Sequence, residues 1–287
     1  MPIKILLQTT IVPTADDWSI ARFSLLADFL RQQKDDSGGP LFDVTARDRE
    51  TPDAPDPILS TLDRSEFDEA WLFAVDTGAG LRPEECEAIT KFRRNGGGLL
   101  VTRDHMDLGS SLCNLDGVGA AHLFHTKNLV SAFPMQRDDP YTVEIDWPNF
   151  HSGANGDFQK VDVVGDVHPV LIDDSSPSGA IRYLPSHPHE GGVYAPDKNA
   201  RVIATGRSKV TGKQFNLLVA FDGSAHEGRA IAASSFHHLA DYNWDPRTGH
   251  PSFVVEPEGD AILRDPAALA SVHRYVRNTA VWLAGSR

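Results

Sequence analysis

Gly96-Gly97-Gly98-Leu99-Leu100-Val101-Thr102-Arg103-Asp104-His105 is the stretch on which the fold turns. Three glycines stop a helix that starts near Pro83, where the missing N–H costs nothing, and that runs through Phe92 and Arg93-Arg94. Leu99 to Thr102 then reads as a strand buried on both faces, and the chain becomes polar at its end. Working back toward residue 1, the same alternation recurs. Ile3 to Leu7 is a strand. A helix capped by Asp16-Asp17 carries Ile20, Phe23, Leu26, Ala27 and Leu30 at three- and four-residue spacing and ends before Gly38-Gly39-Pro40. Phe42 to Thr45 is a second strand, Thr51 to Pro57 a proline-rich loop, and Ala70 to Val75 a third strand. Strands alternating with helices imply a parallel sheet covered on both faces.

Working forward, the rhythm breaks. From Gly117 to Gly179 the chain is rich in Asp, Asn, Pro, His and aromatics, with only short strand-like pieces such as Tyr141 to Ile145. Residues 117–180 are expected to be an irregular insertion over the carboxyl edge of the sheet, since long ordered loops usually carry function. Regularity returns as a hairpin, Arg201 to Thr205 and Gln214 to Phe221, joined through Val210 to Lys213. Ala230 to Phe236 is a further buried strand. Pro266 to Leu283 is a closing helix with Leu269, Val272, Val276, Ala280 and Leu283 on one face. The expectation is an α/β protein: a flavodoxin-like three-layer sandwich, mostly parallel, folded as one domain over 1–287 with its insertion after the fourth strand.

Several of these pieces, in this order, resemble the ThuA-like (trehalose-utilisation) family, a branch of the class I glutamine amidotransferase-like fold. The matching residues are Gly96 to Val101, His168-Pro169-Val170, Gly228-Arg229-Ala230-Ile231 leading to His237, and Thr279-Ala280-Val281-Trp282-Leu283-Ala284-Gly285. The resemblance covers roughly two-thirds of the chain and implies a fold more than an activity. A working glutamine amidotransferase has a cysteine nucleophile at the turn leaving the fourth strand and a His-x-Glu pair after a late strand. Here the turn holds Arg103-Asp104-His105, Cys86 and Cys113 lie elsewhere, and the first carboxylate after His237-His238 is Asp241. Glutaminase chemistry is not expected.

Composition narrows the rest. A formal charge of −13 repels phosphate backbones, so nucleic acid is not an expected partner. No apolar run reaches the roughly 18 residues of a membrane span, and the opening Met1 to Gln8 reads as a strand instead of a signal peptide, which makes a cytoplasmic location the default expectation. Two cysteines without CxxC spacing read as free thiols. A homo-oligomer is compatible with the sequence, with part of the insertion or the Pro246 to Pro257 loop as its contact.

Histidines cluster at strand ends: Asp104-His105, His187-Pro188-His189-Glu190 and His237-His238 with Asp241. Loops leaving the carboxyl ends of parallel strands converge on one crevice, so a site is expected there. His105 and His237 are expected to supply acid and base, with Asp104 orienting an imidazole. The expected substrate contacts are Asp76, His125, Asn149, His151, Asp157, Arg182, His238 and Asp241. His187, His189 and Glu190 offer two imidazoles and a carboxylate that suit zinc, manganese or iron if the segment is extended, since residues two apart on a strand share a side. Three readings follow: an enzyme acting on a small carbohydrate or related polyhydroxylated metabolite, a metal-dependent hydrolase, or a non-catalytic binding or scaffold protein that lost the nucleophile.

Overall fold

The computed structural model describes residues 1–130 and 138–285. Twelve strands occur among these residues: β1 Ile3–Thr9, β2 Phe42–Arg47, β3 Glu69–Phe73, β4 Gly98–Thr102, β5 His122–Leu123, β6 Phe158–Lys160, β7 Asp162–Val163, β8 Tyr183–Pro185, β9 Gly192–Val193, β10 Ala200–Arg207, β11 Gln214–Phe221 and β12 Ala230–Ala233. The α-helices are α1 Ser24–Arg31, α2 Pro83–Arg94, α3 Asp241–Trp244, α4 Ala261–Arg264 and α5 Pro266–Leu283.

Eight strands form the central sheet in the order β2-β1-β3-β4-β12-β11-β10-β7. The first five are mutually parallel, and β11, β10 and β7 extend the sheet antiparallel. This is the flavodoxin-like α/β architecture with a mixed, mostly parallel sheet. Its layers follow from the period of two along each strand. Ile5 and Leu7 of β1, with Trp71 and Phe73 of β3, face a core shared with Leu26 and Leu30 of α1 and Val272, Val276 and Ala280 of α5. Leu6, Ala70, Leu72 and Val101 face the opposite core, against Ile89 and Phe92 of α2.

The expected strands, the hairpin and the closing helix all occur, with three local differences. The first long helix begins as a 3-10 turn, Ile20–Phe23, and α1 is not capped by Asp16-Asp17. Its cap comes from far along the chain: Asp241 accepts hydrogen bonds from Ser24 N (3.0 Å), Leu25 N (2.8 Å) and Ser24 Oγ (2.6 Å). The strand-like piece Tyr141 to Ile145 is irregular, with a turn at 143–144. The strand Ala230 to Phe236 ends at Ala233, because Phe236–His238 coil into a 3-10 turn whose start is capped by the Ser235 side chain on His237 N. Within 117–180, β7 joins the central sheet while β5 and β6 pair with β9 and β8 in two small ribbons. Residues 131–137 of that expected insertion lie outside the described residues. No helix among the described residues is long and apolar enough to cross a membrane.

Candidate functional site

The loops leaving β1, β3, β4 and β12 meet at the carboxyl edge around a cavity of ≈ 320 Å³, whose lining includes Trp18, Val75, Asp104, His105, His187, His189, Phe236 and His237. Asp104 is the centre. It stands two residues beyond β4, at the turn where the chain leaves the sheet, and is 4% exposed. Arg103 braces that turn from below. Its guanidinium donates to the carbonyls of Leu108 (2.8 Å), Leu123 and Met106 and lies over the Phe124 ring, directed away from the cavity.

Three imidazoles point Nε2 at the Asp104 carboxylate. His187 is 3.2 Å from Oδ1, His237 3.5 Å from Oδ2, and His105 3.6 Å from Oδ2. The rings of His187 and His237 are stacked, with centroids 3.5 Å apart and planes 11° from parallel. One histidine comes from the β8–β9 connection and the other from the turn after β12, so the pair unites segments fifty residues apart in sequence. Gly191 allows this: a Cβ there would stand 2.5 Å from Ser234 O and 2.6 Å from Asp104 O. Only a glycine lets the 186–191 loop pass between the two strand ends.

The far side of each ring fixes its tautomer. Asn243 Nδ2 donates to Ser186 O (3.0 Å) and to Asn155 Oδ1 (2.8 Å), which sets the orientation of both amides. Asn155 Oδ1 therefore accepts from His187 Nδ1 (3.0 Å), and Asn243 Oδ1 accepts from His237 Nδ1 (3.0 Å). With the protons on Nδ1, both Nε2 atoms turn lone pairs toward a carboxylate. Asp104 Oδ1 and His187 Nε2 are buried and have no hydrogen-bond partner. Burial works against ionisation of Asp104, but the positive charge that His187, His105 and His237 carry when protonated outweighs it and holds the carboxyl well below its ordinary range. Burial, followed by the adjoining His237, pushes His187 well below the usual imidazole range. Burial also lowers His105 to about 4, against the pull of Asp104. The Asp104 carboxylate and the two Nε2 lone pairs thus face one another with no donor between them, an arrangement that a proton on one imidazole or a shared cation would relieve.

His189 does not share that point. Pro188 and His189 form a turn, so the rule that residues two apart on a strand face one way does not apply. His189 Nε2 donates to Glu256 Oε1 (2.9 Å), and Nδ1 faces Asn149 Oδ1 (3.3 Å) and Asp139 Oδ2 (3.5 Å). Its hydrogen bond, against partial burial, holds the Glu256 carboxyl at about 2. The expected metal ligand Glu190 is likewise turned elsewhere. Fully buried, it accepts from Ser152 Oγ (2.7 Å), Gln159 Nε2 and Ser234 Oγ (2.9 Å), and pairs with His238 Nε2 at 3.1 Å. This carboxylate is saturated and unavailable to an ion.

Of the expected substrate contacts, Asn149 reaches the edge of the site through His189. His151 faces Asp139 at 3.9 Å, and His125 faces Asp146 at 3.9 Å, both half-buried. The other five serve the scaffold. Asp76 accepts from Thr10 Oγ1 (2.6 Å) and Gly78 N (2.8 Å), Asp157 accepts from Ala261 N (3.1 Å), and His238 pairs with Glu190. Arg182 is exposed and donates to the Tyr183 hydroxyl (2.7 Å), while Asp241 caps α1. Sequence reasoning missed Asn155, Asn243, Trp18 and Glu256. The only signals that could have found them were Asn155 within Gly153-Ala154-Asn155-Gly156 and Asn243 six residues after His237.

No family model and no curated protein sequence matches the chain. Similar solved structures include a ThuA-like protein from Parabacteroides merdae, with a TM-score of 0.49 and 16% identity over 99% of this chain and 91% of that one. Another is the CTPS glutaminase domain of Trypanosoma brucei, at 0.48 and 12% identity over 97% and 94%. A GMP synthase subunit from Thermoplasma acidophilum follows at 0.41 and 10% identity over 98% and 96%. The fold assignment rests on the strand order itself, and the reading of the site on its own residues.

Proposed function

We propose that the chain is a metal-dependent hydrolase whose ion is held by Asp104, His187 and His237. The observation behind this reading is the clustering of one carboxylate and two imidazole Nε2 atoms, all three within 4.8 Å of one another, with no hydrogen-bond donor between them. Ligands at about 2.0–2.2 Å from a tetrahedral ion are separated by about 3.3 Å, close to the 3.2 and 3.5 Å from His187 and His237 to Asp104. The amide oxygens of Asn155 and Asn243 supply the outer hydrogen bonds that metal-ligating histidines ordinarily have. Asp104, His187 and His237 would hold the ion at the wall of the cavity. A divalent zinc, manganese or iron ion there supplies Lewis acidity, polarising a carbonyl and acidifying a water.

His105 lines the same cavity beside Asp104 and is neutral at pH 7, and we assign it the role of taking a proton from the attacking water and returning it to the leaving group. Membership among ThuA-like proteins is part of this reading, supported by the Gly228-Arg229 strand that runs into His237, here a ligand.

Elemental analysis of untagged protein should find about one equivalent of transition metal, removed by chelator and restored with a rise in Tm. Asp104→Ala, His187→Ala and His237→Ala should each lose it. Metal-free protein whose Tm does not respond to zinc, manganese or iron overturns the reading and leaves acid–base chemistry by His105 and His237, or a binding role.

A further inference from the structure

The metal ligands occupy one wall of the cavity; the remaining walls say what enters. Trp18, Val75, Leu108, Ile145, Phe236 and Phe253 contribute apolar surface, far more than a site for a fully hydrated polyol needs. Apart from the histidines, the charged side chains on the lining are all of one sign. Besides Asp104, carboxylates stand at Asp17, half-buried at the end of the loop leaving β1, and at Glu256, whose side chain is 28% exposed. Asp139 lies behind His189, 3.5 Å from its Nδ1. No lysine or arginine lines the cavity among the described residues, and the buried guanidinium of Arg103 is committed to three backbone carbonyls. Sites built for phosphate or carboxylate substrates place arginines, lysines or helix N-termini at the anion. Away from the proposed ion, this one presents carboxylates.

We infer that the cavity selects an uncharged acyl compound, a neutral ester, lactone or amide with an apolar side, and that Asp17 and Glu256 turn anionic analogues away. The inference rests on the hydrolase reading for its reaction but not for its charge selection. In that reaction the acyl carbon–oxygen (or carbon–nitrogen) bond to the leaving group breaks, the water oxygen joins the acyl carbon, and one water proton goes to the leaving alcohol or amine. An acid is released as its carboxylate. The same two side chains that exclude an anionic substrate then favour departure of the anionic product.

The test uses two ligand pairs that differ by a single carboxylate. On zinc-loaded protein, acetohydroxamate and succinohydroxamate share a chelating group; the uncharged one should bind about tenfold more tightly by calorimetry at low salt. On metal-free protein, phenylacetamide should raise Tm more than phenylacetate at equal concentration. Asp17→Asn and Glu256→Gln should each narrow both differences. Equal or tighter binding of the carboxylated member in both pairs overturns the inference, as does failure of either uncharged compound to bind where its partner does. If zinc itself does not bind, the hydrolase reading falls and the phenylacetamide comparison alone decides charge selection. If no member of either pair binds, the cavity is not a ligand site and the inference is lost.

Discussion

Asp104 and Glu190 are both buried carboxylates faced by histidines, yet their surroundings are opposite. Glu190 is met by donors on every side: two hydroxyls, a side-chain amide and His238. Asp104 is met by lone pairs, because Asn155 and Asn243 hold the protons of His187 and His237 on the outer nitrogens. The first carboxylate is satisfied within the protein and therefore structural. The second has no such donor, and that is the opening the proposed ion would fill. Residue types alone, a carboxylate with histidines in each case, do not separate the two; the direction of every N–H around them does.

The largest test of this contrast is to remove each carboxylate in turn. Glu190→Ala removes the acceptor shared by four buried groups, of which only Ser152 Oγ and Gln159 Nε2 keep a second one in the carbonyls of His187 and Pro185, and should cost about 3–5 kcal/mol, lowering Tm by roughly 6–15 °C. Asp104→Asn should do the reverse in metal-free protein. An amide at 104 donates to one of the facing Nε2 atoms, so chelated protein should gain about 1 kcal/mol in urea unfolding while losing metal response. Equal destabilisation by both substitutions would break the comparison.

A middle-sized effect is expected one step out. Asn155→Ala removes the acceptor that keeps the His187 proton on Nδ1, and metal affinity should fall about 10–100-fold with His187 itself intact. Titration of the chelated variant with zinc, monitored by Tm, reads this directly.

The smallest effect concerns a third kind of buried imidazole. His122 is fully buried with neither nitrogen hydrogen-bonded, and burial, then the nearby Arg103, lowers it to about 3. Because the folded value lies below the unfolded one, its neutral state favours folding fully above about pH 6.5, and that contribution is lost as pH falls toward 3. His122→Phe should flatten the acid side of the stability curve by at most about 1.4 kcal/mol per pH unit between pH 6 and 4. An unchanged slope would show that His122 finds a proton acceptor in solution.

Much of the sheet was legible because a buried parallel strand leaves an unbroken apolar run, as in Ala70 to Val75, and because glycines and prolines mark the helix ends at 83 and 96–98. The site was legible in part. Asp104, His105 and His237 follow strand ends directly, so the position of the strand fixes theirs. His187 and His189 would grip one ion only if their segment were extended, but Pro188 turns the chain and sends the two rings to different partners. Asp241 resembled a cleft residue because it follows His237-His238 by three positions; the 3-10 turn there rotates it onto the end of α1. Asn155, Asn243 and Glu256 carried no local pattern, since their roles exist only once three distant loops have met.

The strand order has a consequence for the growing chain. One edge of β4 is covered by β12, which begins at Ala230, and α1 receives its cap from Asp241. Until the segment through Asp241 has left the ribosome, the nascent protein presents an unpaired apolar strand and an uncapped helix. The corner that carries the candidate site is therefore among the last parts of the molecule to close, and the strands made first need shielding until it does.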